Sequence, residues 1–248
     1  MKNTKNNSEW FKDWFNSPYY HLLYNNRSTT EANLFISNLT KHLQLKKDAA
    51  IWDLACGKGR HSIKLNELGY TVVGTDLSVE SIEEAIACVN EKLDFFVHDM
   101  RTPFRINYFD AVLNLFTSIG YFNDQRDNYS VFQNVYNALR PDGIFVIDFF
   151  NSTKVKSCLV DNQNEERGDL VFNISKRLEG NKIIKQIKFA DKGKEYNFEE
   201  SVWMYTFSDL MNYATKAGFV LKNTFGNYNL EKFDEQNSDR LITVFKKL

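Results

Sequence analysis

An α/β fold, doubly wound around a mostly parallel sheet, is predicted by three observations on this sequence. From residue 51 onward, short apolar runs alternate with segments of helical period. Those runs are apolar on consecutive residues, as strands covered on both faces must be. Between residues 155 and 205 the rhythm breaks into alternating apolar and polar residues, which predicts an antiparallel β insertion.

Ahead of the sheet, residues 8 to 45 read as helical. Trp10, Phe11, Trp14 and Phe15 fall on one face, and Ser17-Pro18 breaks the helix. Ser28-Thr29-Thr30-Glu31 then has the capping-box spacing that restarts one, continued at helical period by Ala32, Phe35, Ile36, Leu39 and Leu43. Ile51 to Leu54 is the first strand, followed by a glycine loop and a helix through Leu68 that Gly69 ends; Thr71 to Gly74 is the second. Ser78 is the N-cap of a helix through Asn90, with strands at Leu93 to Val97 and Ala111 to Leu115 after it. A helix with Tyr129, Phe132, Val135, Tyr136 and Leu139 on one face is closed by the turn Arg140-Pro141-Asp142-Gly143 before the strand Ile144 to Phe149. In the insertion, Phe172, Ile174 and Leu178 alternate, Glu179-Gly180-Asn181 turns, Ile183 to Phe189 returns, and Ser201 to Tyr205 is a third strand. A helix from Ser208 to Ala217, capped by Gly218, precedes strands at Phe219 to Phe225 and Leu241 to Phe245, which completes a seven-stranded main sheet. The boundaries are an N-terminal helical segment at 1–46, a main domain at 47–154 and 206–248, and the insertion at 155–205.

The chain has 248 residues, with Lys+Arg 31 against Asp+Glu 32 for a formal charge of -1. That length buries a full core, and 43% hydrophobic with 25% charged residues is a globular composition. The neutral balance argues against nucleic acid as a partner, because phosphate neutralisation supplies most non-specific affinity. Cys56, Cys88 and Cys158 are widely spaced and odd in number, which excludes a disulfide framework and a CxxC metal knuckle. With no apolar run after Lys2 and Lys5 and none near the roughly 20 residues of a membrane span, the expectation is a cytoplasmic protein with no membrane partner.

Chemistry concentrates at the ends of the first four strands. Asp53-Leu54-Ala55-Cys56-Gly57-Lys58-Gly59 leads from a strand into a helix, where Gly57 and Gly59 let the backbone pass close to a ligand and the helix N-terminus turns amides toward it. A dinucleotide fingerprint requires a third glycine at position 62, where this chain has Ser62. Asp76 ends the second strand, where a carboxylate accepts from both hydroxyls of a ribose; Ser78 is available as the helix cap, so Asp76 is not needed for that. His98-Asp99-Met100 follows the third strand. An acid at Asp99 suits an adenine amino group, with Leu77 against the ring, whereas nothing nearby in sequence orients His98 as a catalyst.

Taken together, Asp53, the Gly57-x-Gly59 pair, Asp76, Asp99-Met100 and Asn114-Leu115-Phe116 resemble the ordered motifs of class I S-adenosylmethionine-dependent methyltransferases, over about residues 50 to 150. The resemblance implies a Rossmann-like sheet with an antiparallel C-terminal ending, and S-adenosyl-L-methionine as cofactor. It assigns Asp53, Ala55, Cys56, Gly57 and Gly59 to the methionine moiety, Asp76 and Leu77 to the ribose, Asp99 and Met100 to the adenine, and Asn114 and Phe116 to the methyl-donating end. It also implies that 1–46 is a helical lid like that of small-molecule members such as the sugar-amine methyltransferases. Within it, Arg27 meets the cofactor carboxylate and Tyr20 or Tyr24 the sulfonium. The expected reaction is methyl transfer to nitrogen or oxygen of a small-molecule acceptor, with the insertion packed over the substrate mouth or against a second subunit.

A NAD(P)-dependent oxidoreductase lacks its third glycine here, and a non-catalytic S-adenosylmethionine-binding protein shares every motif. DNA amino-methylation calls for an Asn/Asp-Pro-Pro-Tyr/Phe motif where this chain reads Asn114-Leu115-Phe116-Thr117. Asn114, Asp148 and Asn151 match a magnesium site only loosely, so no metal is expected. An amine nucleophile needs positioning more than a base, and His21, Tyr121 and Asp124 are candidates near the mouth with no assigned catalytic role.

Overall fold

The structure, a computed structural model, describes residues 9–24 and 29–248; Arg27 and the Ser28 cap lie outside these residues. Three helices come first, α1 (Trp10–Phe15), α2 (Pro18–Leu23) and α3 (Thr29–Leu43), with Pro18 at the first turn of α2 and the Ser17 hydroxyl accepting from the Tyr19 N–H. The main domain then alternates β1 (Ala50–Leu54), α4 (Arg60–Glu67), β2 (Thr71–Asp76), α5 (Val79–Ala85), β3 (Leu93–Val97), β4 (Phe109–Asn114), α6 (Gln125–Ala138) and β5 (Leu139–Phe150). After α7 (Ser152–Ser157) come β6 (Asn162–Arg167), β7 (Leu170–Glu179), β8 (Lys182–Asp191) and β9 (Lys194–Trp203), and then α8 (Phe207–Ala217), β10 (Phe219–Phe225) and β11 (Arg240–Lys247).

The main sheet has seven strands in the order β10-β11-β5-β4-β1-β2-β3, parallel except that β11 runs antiparallel to both of its neighbours. Its order reverses between β1 and β4, so a crevice opens at the C-terminal ends of the central strands, where open α/β sheets bind ligands. β1 is buried along its whole length because helices cover both faces. Trp52, Phe109, Phe132 and Phe145 fill one layer, and Phe35, Ile36, Ile51 and Leu65 the other.

The structure departs from the sequence expectations in a few places, each with a physical cause. The turn before the fifth strand is absorbed into β5 as an irregularity: Leu139 pairs with Phe109 and Ile144 with Ala111, which loops Arg140 to Gly143 out of register. The helix capped by Ser78 ends at Ala85 and tightens into a 3-10 turn through Cys88. The insertion forms four strands, not three. Asn162–Arg167 contains no apolar residue and pairs as an edge strand, and β9 pairs with β8 from Lys194 onward, its inward Glu200 interrupting the apolar series Tyr196, Phe198, Val202 that would mark it in the sequence. The aromatic face of α1 also divides. Phe11 enters the main core against Phe122, while Trp14 turns to the antiparallel sheet and packs with Leu23, Phe172, Ile174, Ile187 and Phe189. The inner face of the inserted sheet is therefore buried against α1 and α2 of its own chain.

Candidate active site

A cavity of about 410 Å3 occupies the crevice, within the size range of small-ligand sites. The ends of β1, β2, β3 and β4 form its floor, and Phe15, Tyr20, His21 and Tyr24 of α1 and α2 stand over it. Leaving β1, Ala55 takes φ of 63°, and leaving β4, Phe116 takes φ of 62°; both are left-handed conformations that cost non-glycine residues free energy and concentrate at functional sites.

The glycine loop divides its labour. Gly57 has φ of 55° and nothing within 4 Å of where a Cβ would stand, so its face toward the cavity is open. Gly59 has φ of 78°, but a Cβ there would meet the Phe95 ring at 2.5 Å, and one on Gly74 would meet the same ring at 2.5 Å. Gly59 thus serves close packing of α4 on the sheet, with Phe95 filling the space that two glycines leave. Asp53 does not line the cavity either. It is 1% exposed beneath the loop, and Ser62, the residue that replaces the third glycine, donates its hydroxyl to Asp53 Oδ2 at 2.5 Å. Burial pushes the Asp53 carboxyl up to about 6, opposed by that hydrogen bond.

Asp76 faces the cavity from the end of β2. Its Oδ2 accepts from the Gly57 N–H at 2.7 Å and its Oδ1 from the Ser78 N–H at 2.8 Å, so one carboxylate joins the glycine loop to the cap of α5. Burial raises its pKa, against the pull of these two amides. Leu77, Asp99 and Met100 line the next stretch. Both oxygens of Asp99 are engaged by Arg101, whose Nη2 donates to Oδ2 at 2.6 Å and reaches Glu9 at 2.9 Å, which ties the β3 loop to the start of α1. Burial raises the Asp99 pKa, but the Arg101 guanidinium outweighs it and holds the carboxyl low. His98 lines the cavity with Nε2 at 3.1 Å from the Thr102 carbonyl, a structural hydrogen bond as expected.

Phe116 and Cys56 line the wall; Asn114 does not. Fully buried, Asn114 donates from Nδ2 to the Leu54 carbonyl at 3.0 Å and so clamps β4 to β1 behind the loop. Of the three residues considered near the mouth, His21 and Tyr121 line the cavity and Asp124 does not, being the N-cap of α6. Burial and then the Lys58 charge lower the His21 pKa, and its Nε2 has no hydrogen-bond partner among the described residues. The sequence marks Phe11 and Phe15 only as one face of a helix and gives Arg60, His61 and Phe122 no site role, yet all five line the cavity. The apolar repeat of α1 was visible, but nothing in it says which aromatic faces the crevice.

The methyltransferase-domain family matches residues 51–143, which carry the floor of the cavity from β1 to the start of β5. YqeM of Bacillus subtilis, named as a methyltransferase, is 31% identical over 214 residues, covering 82% of this chain and 86% of its own. The chain belongs to the S-adenosylmethionine-dependent methyltransferases. This methyltransferase also shares its fold with a solved S-adenosylmethionine-dependent methyltransferase from Clostridium acetobutylicum (TM-score 0.78, 20% identity, 92% of this chain and 96% of that one). A second solved neighbour is the sugar N-methyltransferase KedS8 from Streptoalloteichus (TM-score 0.70, 18% identity, 92% of each chain). S-adenosyl-L-methionine is accordingly the cofactor of this methyltransferase, and the residues present fit it: an open cradle at Gly57, a recessed carboxylate at Asp76 and apolar walls at Leu77 and Met100. Among the described residues, no helix is long and apolar enough to cross a membrane.

Proposed function

We propose that the enzyme transfers a methyl group to a nitrogen or oxygen atom of a small-molecule acceptor, within the cavity between the strand ends and the α1–α2 lid. The observation that carries this reading is the enclosure. Phe15, Tyr20, His21 and Tyr24 roof the floor built by β1 to β4, and the antiparallel sheet buttresses that roof through Trp14 and Leu23. A roofed cavity of this size suits a metabolite. The fold shared with KedS8, a sugar N-methyltransferase, supports the same class of acceptor.

Bound S-adenosylmethionine supplies an electrophilic methyl group on a sulfonium. In this reading Asp76 accepts from the ribose hydroxyls, Leu77 and Met100 hold the adenine with Asp99 at its amino edge, and Ala55, Cys56 and Gly57 take the methionine moiety. Tyr20 and Phe116 stand at the methyl-donating end. Asp53, Gly59 and Asn114 act one layer behind, shaping the loop through Ser62, Phe95 and Leu54. Within 1–46 the lid is α1 and α2, while Phe35, Ile36 and Leu39 of α3 pack into the core of the catalytic domain; 47–154 with 206–248 is the catalytic domain and 155–205 the buttress. Displacement at the methyl carbon requires collinear approach and exclusion of water, which roof and floor together provide. His21, neutral at pH 7 and facing the cavity, takes the proton that the methylated acceptor sheds. A screen of metabolite amines and alcohols for S-adenosylhomocysteine formation tests the reading; turnover of a macromolecular acceptor, with no small molecule methylated, contradicts it.

A further inference from the structure

Just past β4, two consecutive residues hold left-handed backbone conformations, Phe116 with φ of 62° and Thr117 with φ of 59°. For the β-branched Thr117 this is an outlier, and such corners persist only where the surroundings over-determine them. Phe116 lines the cavity, whereas the groups that hold the corner stand behind it.

Asp148 of β5 is the centre of those groups, and it is fully buried. Its Oδ2 accepts from the Phe116 N–H at 2.9 Å and from the Tyr228 hydroxyl at 3.1 Å, while its carbonyl accepts from the Thr117 N–H at 2.8 Å. Its Oδ1 accepts from Arg240 Nε at 2.7 Å. Arg240 continues the clamp, its Nη2 donating at 3.0 Å to Thr117 Oγ1, an oxygen that also accepts from the Phe150 N–H at 3.1 Å. The Arg240 guanidinium lies 5.6 Å from the centre of the Phe116 ring and that of Arg60 lies 5.0 Å from it, so the ring is held as well as its backbone. Tyr228 in turn stacks on Phe35 of α3 with ring centres 4.5 Å apart, which ties the network to the core.

Neither Asp148 nor Arg240 lines the cavity. A buried ion pair adds little net stability, because desolvation offsets its attraction, and this one maintains a corner that itself costs free energy. What the arrangement yields is a fixed position for one ring.

Resting on the methyl-transfer reading, which puts Phe116 at the methyl-donating end, we propose that Asp148 and Arg240 are positioning residues for that reaction. They act through the corner at Phe116 and Thr117, keeping the ring against the sulfonium methyl group. If the corner relaxes to a right-handed conformation, the Cα–Cβ bond of Phe116 turns and the ring leaves the wall. Collinear transfer then loses one side of the enclosure that aligns the methyl carbon.

The test uses the full chain and two ligands, S-adenosylhomocysteine and sinefungin, the second carrying an amine-bearing carbon where S-adenosylmethionine has its methylated sulfur. The ratio of their affinities reads the methyl-donating end without needing the acceptor. In calorimetric titrations, Asp148→Asn is expected to weaken sinefungin about tenfold and S-adenosylhomocysteine by less than about twofold. Phe116→Ala should change the ratio similarly, and Asp148→Asn added to it should change it little further, because both remove the same wall. With para-fluorophenylalanine at position 116 and S-adenosylhomocysteine bound, the fluorine resonance should be single in the wild type and displaced or split in Asp148→Asn. Removing one partner of a buried pair is strongly destabilising, so Arg240→Lys is measured alongside. It keeps a charge beside Asp148 but gives up the bond to Thr117 and the flat contact with Phe116, and it should shift the ratio and the resonance in the same direction. If Asp148→Asn does not fold, Arg240→Lys decides alone. An unchanged ratio, an equal loss of both ligands, an unmoved resonance, or additive effects of Phe116→Ala and Asp148→Asn overturns the proposal. A wild type that binds S-adenosylhomocysteine and sinefungin but gives one of these results loses this proposal alone, whereas a wild type that binds neither loses the methyl-transfer reading and the proposal with it.

Discussion

Gly59, Asp53 and His21 each carry a consequence of their own. A methyl group on Gly59 must displace the Phe95 ring from a backbone already at φ of 78°, so Gly59→Ala should lower stability by about 2–4 kcal/mol. The additional change Phe95→Leu should recover part of that loss in denaturant melts, because the clash is with that ring. Asp53 is held above its ordinary pKa, at about 6, so the folded state binds its proton more tightly than the unfolded chain does. Its stabilising contribution is complete below about pH 4 and is lost as pH rises through about 6; above that, the buried charge is a cost. Asp53→Asn, which keeps an acceptor for Ser62, should therefore raise stability at pH 8 by about 1–3 kcal/mol and change it little at pH 4, as thermal melts at both pH values will tell. The His21 pKa is depressed by burial and by Lys58, so turnover that needs its neutral form should climb with pH through a value below 6.5 and level off by neutrality. His21→Gln should lower kcat by roughly 10²–10⁴-fold and abolish that acid limb, with cofactor affinity kept; an unchanged profile contradicts its role as proton acceptor.

At the scale of elements, Trp14 is one of the side chains that seat the lid on the inserted sheet, beside Tyr19 and Leu23. Trp14 is fully buried, packs on Phe198 with ring centres 4.5 Å apart and donates from Nε1 to Glu200 at 2.7 Å, while the Tyr24 hydroxyl donates to the same carboxylate at 2.6 Å. Trp14→Ala removes this support and should cost about 3–5 kcal/mol, with weaker binding of S-adenosylhomocysteine as α1 and α2 lose their seat. Wild-type stability in that variant would mean that the inserted sheet does not support the lid. The strands β1, β3 and β10 were legible from sequence almost to the residue, because apolar runs bounded by turn residues have few other uses. Legibility failed where tertiary context outweighed local pattern. β6 pairs through its backbone with no apolar residue, Glu200 sits inward because Trp14 and Tyr24 satisfy it, and Arg140 to Gly143 join a strand that a proline-glycine turn would ordinarily precede.

Across the whole molecule, the strand ends are read reliably and the roof is not. Asp76, Leu77, Asp99, Met100 and the Gly57 loop lie at positions that chain order alone dictates in a doubly wound sheet, and all of them line the cavity. Asp53, Gly59 and Asn114 belong to the same motifs yet stand behind the wall, since a motif records spacing and not which way a side chain turns. The roof depends on how α1 and α2 dock onto a sheet more than a hundred residues later, a pairing that no local pattern encodes. The central claim is that the crevice under this roof holds the cofactor through Asp76. Calorimetric titration of S-adenosylhomocysteine into the wild type and Asp76→Ala tests it most directly: the account predicts one site per chain and a loss of about 1–3 kcal/mol of binding free energy in a variant that remains folded, whereas equal affinity in the two proteins would contradict it.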